Sequence, residues 1–174
     1  MYPPILRTKR FTLRGFLPED IDRLTEILSD PLVMRFMPGS EPWPREKAEK
    51  SLRSIIEHWG KYRYGRWAIV YNEDQRLIGW CGLGFIPEIE EIEVAYLIDK
   101  DYWNRGIATE ASMNSLRFGF EEVGLERIIA LAFPENAASR RVMEKIGMTL
   151  ESMIYIWKLD LVKYSIHMTN LRRA

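Results

Sequence analysis

The stretch Asp101-Tyr102-Trp103-Asn104-Arg105-Gly106-Ile107-Ala108-Thr109-Glu110-Ala111 decides the fold, because an apolar strand leads into it and a helical pattern leaves it. Gly106 and Ala108 are small enough to let the main chain approach a bound group. The free N–H groups in the first turn of a helix attract anions. The stretch therefore predicts a pyrophosphate site made of main chain, and a tightly packed strand-to-helix turn is the alternative interpretation.

This loop belongs to neither of the two common nucleotide motifs. No Gly-Lys-Ser/Thr follows it, and it contains one glycine where a dinucleotide fingerprint needs three. The pattern therefore argues against nucleotide hydrolysis and against hydride transfer.

Strands and helices are predicted on both sides of the loop. Apolar alternation and turn residues predict strands over Arg10–Arg14, Arg66–Tyr71, Arg76–Phe85, Ile92–Ile98, Arg127–Ala132, about Thr149–Trp157 and Leu161–Thr169. The last two strands are predicted to turn around Asp160. Helices are predicted from Pro18-Glu19-Asp20 to Asp30, from about Pro44, from Gly106 to about Glu122, and from Asn136 to about Gly147. This order predicts an α/β fold with a mixed sheet covered by helices.

The second of these helices is predicted to bury one apolar face, made of Ala48, Leu52, Ile55, Ile56 and Trp59.

Length and composition indicate one domain over residues 1–174, since 174 residues with 47% apolar content can fill one core. The formal net charge is zero, which argues against binding to nucleic acid or to a membrane surface. Cys81 has no partner for a disulfide, and neither His58 nor His167 has a second ligand at metal-binding spacing. We therefore expect no metal site. The N-terminus lacks the apolar core of a signal peptide, so we expect a cytoplasmic protein.

The loop resembles the acetyl-CoA loop of the GNAT superfamily of N-acetyltransferases, Gln/Arg-x-x-Gly-x-Gly/Ala, with Trp103 at its first position. In having Tyr102-Trp103 it is similar to ribosomal-protein N-terminal acetyltransferases, although Asn104 replaces a glycine. Four further stretches resemble family motifs in the family's order, so the resemblance spans nearly the whole chain. They are Leu6–Arg14, Leu77–Leu83, Glu91–Ile98 and the helix Asn136–Met148, which is similar to Asn-x-x-Ser-x-x-Val/Leu-x-x-Lys-x-Gly-Phe.

The resemblance implies a mostly antiparallel sheet of about seven strands, flanked by about four helices and splayed between its fourth and fifth strands. It also implies acetyl-CoA as the acetyl donor. The residues expected to bind it are Tyr96, Leu97 and Ile98 through the main chain, the loop residues Asn104, Arg105, Gly106, Ile107, Ala108 and Thr109, and the helix residues Asn136 and Arg140. Asn136 also suits a helix N-cap, and it can serve in both roles. Trp103 is interpreted as a core anchor.

Two catalytic residues follow from the same resemblance. Glu93 occupies the acidic position of the fourth strand and is expected to remove a proton from the attacking ammonium. A solvated acid in a run of glutamates is the alternative for Glu93. Ser139 is expected to protonate the departing thiolate, because Met143 stands where many relatives carry a tyrosine acid. A tyrosine from elsewhere in the chain, such as Tyr164, is the alternative acid.

The acceptor implied by the resemblance is the N-terminal amine of a protein, with a polyamine, amino sugar or antibiotic amine as the second possibility. The region Met34–Tyr64 is expected to decide between them, since its aromatic and Met side chains can either line an acceptor cleft or pack in the core. They are Phe36, Met37, Trp43, Trp59, Tyr62 and Tyr64. A non-catalytic acyl-CoA sensor is a third reading, and the protein is expected to be a monomer or a homodimer.

Overall fold

The computed structural model describes residues 3–171 and contains one eight-stranded sheet. Its strands are β1 (Leu6–Arg7), β2 (Phe11–Arg14), β3 (Arg66–Tyr71), β4 (Leu77–Ile86), β5 (Glu91–Ile98), β6 (Arg127–Ala132), β7 (Thr149–Ile156) and β8 (Leu159–His167). Its helices are α1 (Ile21–Leu28), α2 (Pro31–Met34), α3 (Arg45–Tyr62), α4 (Ile107–Arg117), α5 (Ala137–Lys145) and α6 (Met168–Leu171).

The strands lie in the order β1-β2-β3-β4-β5-β6-β8-β7, and every neighbouring pair is antiparallel except β5 and β6. Those two parallel strands pair at a single position, Glu93 opposite Ile129, and then diverge. On its other side β5 stays paired with β4 along its whole length, from Glu91 to Ile98. The mixed, mostly antiparallel and splayed sheet is therefore confirmed. The gap lies between β5 and β6, which are the fourth and fifth of the predicted strands.

Helices cover both faces of the sheet. On one face α1, α2 and α3 pack against Ala68, Trp80 and Leu97. On the other face α4 and α5 pack against residues of β4, β5, β6 and β8. Cys81 lies in this second layer, fully buried beside the hydroxyls of Ser112 and Ser115, and burial raises the pKa of its thiol to about 11. The thiol is therefore protonated and unreactive at neutral pH.

The last hairpin turns at a different place from the one predicted. Ile156 pairs with Leu159, so the turn consists of Trp157 and Lys158, and Asp160 lies within β8. Both turn residues have positive φ, 53° and 63°, which is the geometry of a two-residue hairpin usually built from Asn-Gly. The prediction at Asp160 was wrong because this turn lacks the residues that normally mark it.

Three smaller differences concern exposure and the chain ends. Ile56 was predicted to be buried, but it is 41% exposed and lines an open groove with Pro18 and Ile21. The two-residue strand β1 was missed because it is too short to show alternation. The final strand ends at His167, where α6 begins, and not at Thr169.

Within residues 3–171, no helix combines the length and apolar character that crossing a bilayer requires. The same residues contain no group of three or more His, Cys, Asp or Glu side chains arranged to hold a metal ion.

Gly79 allows β4 to pass close to β5. A Cβ atom placed on Gly79, where φ is 149°, would lie 2.1 Å from the main-chain oxygen of Leu97. We expect Gly79→Ala to lower the free energy of unfolding by about 1–3 kcal/mol, because main chain and not a flexible side chain must move. Urea denaturation measures this change. Gly60→Ala in α3 is the matched control, since no atom lies within 4 Å of the added Cβ; it is expected to be neutral or stabilising. Equal stability of the two variants would contradict the prediction.

Candidate active site

Glu93 lies where β5 and β6 part, because it is the residue of β5 that pairs with β6. Its side chain is only 13% exposed, and Arg66 Nη2 donates to its Oε1 at 3.3 Å. Gly84 lies beside this pair, since a Cβ atom there would be 3.6 Å from Glu93 Oε1 and 3.7 Å from Arg66 Nη2. Burial raises the pKa of Glu93, and the charge and hydrogen bond of Arg66 oppose this rise. The burial argues against the alternative of a solvated surface acid.

Tyr96 and Ser139 form a hydroxyl pair on the opposite face of the sheet. The Tyr96 hydroxyl lies 2.8 Å from Ser139 Oγ and also donates to the main-chain oxygen of Ser139 at 3.1 Å. Side chains alternate along a strand, so Tyr96 projects to the face opposite Glu93. The bond connects β5 to α5 across the gap that starts at Glu93. Burial raises the pKa of Tyr96 well above its ordinary value, so the phenol is protonated.

The gap leaves part of the main chain of β5 without a strand partner. The N–H of Asp99 bonds to Ile78 in β4, and main-chain groups alternate between the two sides of a strand. The amides of Ile98 and Tyr96 therefore face β6, which has already diverged, whereas that of Leu97 faces β4. The Ile98 oxygen accepts a hydrogen bond from Trp103 Nε1 at 2.7 Å. This edge offers the main-chain donors and acceptors expected for the pantetheine arm of CoA.

Asn136 caps α5, since its Oδ1 accepts the N–H of Ser139 at 3.1 Å. The cap fixes the turn that presents Ser139 to Tyr96. Arg140 follows one residue later and donates to the oxygen of Pro134 at 3.2 Å and to the hydroxyl of Tyr164 at 3.3 Å.

Tyr164, the alternative acid, is only 2% exposed and donates to Glu144 at 3.1 Å. The tyrosine hydroxyl that is hydrogen-bonded to Ser139 is that of Tyr96. From the sequence, Tyr96 was expected to contribute only through its main chain.

The loop before α4 has the conformation of an anion site. Asn104 and Gly106 both adopt the left-handed region, with φ of 61° and 72°. Asn is the non-glycine residue that tolerates this region best, which explains how it replaces the family's glycine. Gly106 is the N-cap of α4, so the N–H groups of Ile107, Ala108 and Thr109 begin the helix without partners in the preceding turn.

Trp103 and Arg105 lie on the surface of this loop. Trp103 is 44% exposed, so its interpretation as a core anchor was wrong. Its ring stays outside because the indole N–H reaches the main chain of Ile98. Arg105 packs its guanidinium over the ring of Tyr102 at 5.2 Å and donates to the oxygen of Asp101 at 3.0 Å.

Arg10 ties the N-terminal strands to this loop. Its guanidinium donates to the main-chain oxygen of Arg105 and to the carboxylate of Glu110, with an Nε to Oε2 distance of 3.0 Å. Arg10 Nη2 would lie 3.8 Å from a Cβ atom on Gly106. A fixed cation therefore lies beside the predicted pyrophosphate site.

The aromatic residues of the region Met34–Tyr64 divide between core and cleft. Trp59 and Tyr64 are buried, and Trp59 donates to the oxygen of Arg66 at 3.0 Å. The ring centre of Phe36 lies 6.2 Å from that of Phe133, the residue that directly follows β6. Tyr62 stacks against His58 with 4.4 Å between ring centres.

His58 has a buried Nε2 without a hydrogen-bond partner in the described part of the chain. Burial lowers its pKa, and the positive charges of Arg66 and Lys61 lower it further. The imidazole is therefore neutral at physiological pH. Met37 and Trp43 are partly buried against the core between the sheet and α1–α3.

A gap of this kind has the shape expected for an extended arm that carries a thioester, with the predicted base on one face and a hydroxyl pair on the other. The loop at Gly106 is the predicted site for the phosphates at the far end of the arm. From Glu93 to Ile98 the strand spans about 17 Å, at 3.3 Å per residue. These features define a CoA-dependent acyltransferase.

The family model of the acetyltransferase (GNAT) domain matches residues 10–149, so the chain belongs to the GNAT acetyltransferase family. It is 29% identical over 150 residues to the uncharacterized N-acetyltransferase p20 of Bacillus licheniformis, which covers 86% of this chain and 84% of the relative. The crystal structure of a GNAT-family acetyltransferase from Bacillus anthracis has a TM-score of 0.80 and 28% identity, covering 94% of this chain and 98% of the other. The protein is therefore an acetyltransferase, and acetyl-CoA is its acetyl donor.

The likeness to ribosomal-protein acetyltransferases is also confirmed, at the level of the fold. RimL, a ribosomal L7/L12 alpha-N-protein acetyltransferase solved in complex with coenzyme A, has a TM-score of 0.81 at 14% identity. The match covers 94% of this chain and 98% of RimL.

Arg10→Gln tests how the loop before α4 is held. We expect about 10-fold weaker binding of CoA, because the loop loses its tie to the N-terminal strands and the site loses a nearby cation. Isothermal titration with CoA measures the change, and ATP and NADH serve as ligands that we expect to bind to neither protein. Arg45→Gln is the matched control, since Arg45 makes only exposed ion pairs with Asp22 and Glu49. Unchanged CoA affinity in Arg10→Gln would contradict this role.

Proposed function

We propose that the protein transfers the acetyl group to a primary amine by direct attack, with the amine and the thioester approaching from opposite faces of the sheet. The observation that carries this proposal is the position of Glu93 and the Tyr96–Ser139 pair on either side of one gap. A direct transfer needs a base where the amine enters and a proton donor where the thiolate leaves.

Glu93 is the proposed base. An ammonium cannot attack a thioester, so its proton must first pass to a group of comparable pKa. Burial raises the pKa of Glu93 toward that range, and the charge and hydrogen bond of Arg66 oppose this rise. Glu93 therefore accepts the ammonium proton, either directly or through water, as the new N–C bond forms.

Ser139 is the proposed acid, and Tyr96 is hydrogen-bonded to it. The phenol has one proton and two nearby acceptors, the Oγ and the main-chain oxygen of Ser139. When Tyr96 donates to Oγ, the Ser139 proton is free to point into the gap toward the sulfur. As the C–S bond breaks, Ser139 gives its proton to the thiolate while Tyr96 passes its own proton to Ser139 Oγ, so no serine alkoxide is left. The tyrosinate that remains regains a proton from water after the products leave. Met143, at the family's tyrosine position, is buried and cannot take this part.

The residues that would hold acetyl-CoA fit its chemistry. The N–H groups at Gly106–Thr109 suit the pyrophosphate, and the free edge of β5 at Tyr96 and Ile98 suits the amides of the arm. Acetyl-CoA supplies an activated acetyl group as a thioester. Main-chain N–H groups of β5 that face the gap can donate to the carbonyl oxygen and stabilise its developing negative charge.

The proposed acceptor is the N-terminal amine of a protein or peptide. The sequence resemblance to ribosomal-protein N-terminal acetyltransferases supports it. A small-molecule amine is the second candidate, and the aromatic side chains of the region Met34–Tyr64 are expected to decide between the two. The pairing of Tyr96 with Ser139 argues against a non-catalytic acyl-CoA sensor. It provides a proton donor in place of the tyrosine that is missing at Met143.

Glu93→Gln tests the base. We expect kcat/KM for an amine or peptide acceptor to fall about 10²- to 10⁴-fold. In the wild type kcat/KM should rise with pH through the elevated pKa of Glu93, since the base acts when it is deprotonated, and the variant should lose this inflection. Glu90→Gln, an exposed glutamate of the same run, is the control and should keep the wild-type profile. A wild-type rate at every pH in Glu93→Gln would remove Glu93 from the mechanism.

Ser139→Ala and Tyr96→Phe test the acid as a pair. We expect each to lower kcat about 10²-fold with CoA affinity unchanged, and the double variant to be little slower than Ser139→Ala. Such non-additivity is expected because Tyr96 acts through Ser139. Steady-state kinetics with CoA titrations provide the measurement. Fully additive losses would separate the two hydroxyls, and an unchanged kcat in Ser139→Ala would assign the proton to water.

A further inference from the structure

Arg66 is a cation placed directly beside the proposed base. Its Nη2 lies 3.3 Å from Glu93 Oε1, and its guanidinium lies over the buried ring of Trp80 at 4.4 Å from the ring centre. Transfer to an amine does not itself require a positive charge here. An ammonium that approaches Glu93 must in fact come close to a charge of its own sign.

The contact between Arg66 and Glu93 is loose compared with a structural ion pair of the same protein. Arg14 binds Asp20 through two hydrogen bonds, each of 2.7 Å, although the exposure of this pair is similar to that of Arg66 and Glu93. Arg66 makes one hydrogen bond to Glu93, and 3.3 Å is longer than the 2.7–2.9 Å usual between charged groups.

Most donors of Arg66 remain free. A guanidinium has five N–H groups. Among residues 3–171, Glu93 is the only hydrogen-bond acceptor of the Arg66 guanidinium. The Arg66 side chain is 30% exposed, so a ligand can reach the unused donors. The contact with the Trp80 ring restricts the orientation of the guanidinium, whose fork of N–H groups matches a planar anion such as a carboxylate.

We propose that the acceptor carries a carboxylate close to its amine, and that Arg66 binds this carboxylate while Glu93 faces the ammonium. The two opposite charges of such an acceptor match the two opposite charges of the Glu93–Arg66 pair. A polyamine or an aminoglycoside would instead bring additional positive charge next to Arg66. This inference rests on the proposed transfer to an amine at Glu93 and adds the substrate class.

The carboxylate can come from two sources. A free amino acid carries it next to the amine, and a peptide carries it when its first or second residue is acidic. The chemistry at Arg66 is the same for both, and matched acceptors distinguish them.

The experiment compares pairs of acceptors in which an amide replaces the carboxylate, and the preference is read against that of the Arg66 variants because the amide also makes the amine less basic. One arm uses free alanine, leucine, phenylalanine and glutamate against their amides, and the other uses peptides that begin Ser-Asp or Asp-Ala against Ser-Asn or Asn-Ala. We expect the wild type to prefer the carboxylate in at least one arm by about 10- to 100-fold in kcat/KM, the usual strength of a charge-assisted hydrogen bond. The arm that shows the preference identifies the source.

Arg66→Gln should reduce this preference to less than about 3-fold, and Arg66→Lys should restore part of it because the charge returns without the fork. Arg53→Gln, an exposed arginine of α3, is the control and should keep the full preference. The ratio between paired acceptors is the decisive quantity, since a change in the basicity of Glu93 alone would slow both members equally. Thermal unfolding and CoA titration show whether each variant is folded.

A wild type that acetylates amides and acids equally, or prefers polyamines, would overturn the inference and leave the proposed amine transfer standing. A preference that survives unchanged in a folded Arg66→Gln would also overturn it. If the wild type binds acetyl-CoA but acetylates no amine in either arm, both the inference and the proposed function fail.

Discussion

The single parallel pairing of Glu93 with Ile129 is the constraint on which the rest of the site depends. Two strands that pair once and then part must each be held from the other side. Here β5 is held by β4 along its full length, and β6 is held by β8 from Arg127 to Ala132. The gap is therefore a rigid part of the sheet. It exposes main-chain groups that are normally satisfied by a neighbouring strand, and a ligand arm can satisfy them instead.

The alternation of side chains along β5 converts this gap into a two-sided site. Glu93 and Tyr96 are three residues apart, so they project to opposite faces, and each finds its partner there. Arg66 reaches Glu93 over Gly84 on the face of α1–α3, and Ser139 reaches Tyr96 from α5 on the other face. A Cβ atom at Gly84 would be in ordinary van der Waals contact with both members of the ion pair. One short strand thus positions both the proposed base and the tyrosine that is hydrogen-bonded to the proposed acid.

Local patterns predicted most of the fold. The bounds of β6 and the hairpin of β3 and β4 agree with the sequence prediction, and Asn104 and Gly106 mark the turn into α4 because few other residues accept positive φ. The turn at Trp157 and Lys158 was missed, because its geometry is imposed by the two paired strands and not by its own residues.

Contacts between distant parts of the chain could not be predicted. Arg10 and Glu110 are 100 residues apart, and Arg66 and Glu93 are 27 apart, so no periodic pattern links them. Trp103 was misplaced because a large aromatic side chain usually packs inside, whereas here its indole N–H is held at the surface by Ile98. Side-chain alternation along β5 could have predicted that Tyr96 projects to the face opposite Glu93. Its hydrogen bond to Ser139 could not be predicted, because it depends on where α5 packs against the sheet.

The two layers of helices have a consequence for how such a chain can diversify. The layer over Arg66 and Glu93 is built from α1, α2 and α3, all within residues 21–62, whereas the loop at Gly106, α4 and α5 follow β5. Most groups proposed to meet the acceptor thus precede, in the sequence, most groups proposed to meet the donor, and the sheet separates the two sets. Arg10 is the exception, because it holds the donor loop from the N-terminal strands. Mutations in α1–α3 can therefore change the specificity for the acceptor amine while the loop at Gly106, α4 and α5 remain unchanged. The acceptor can thus change during evolution while CoA binding is kept.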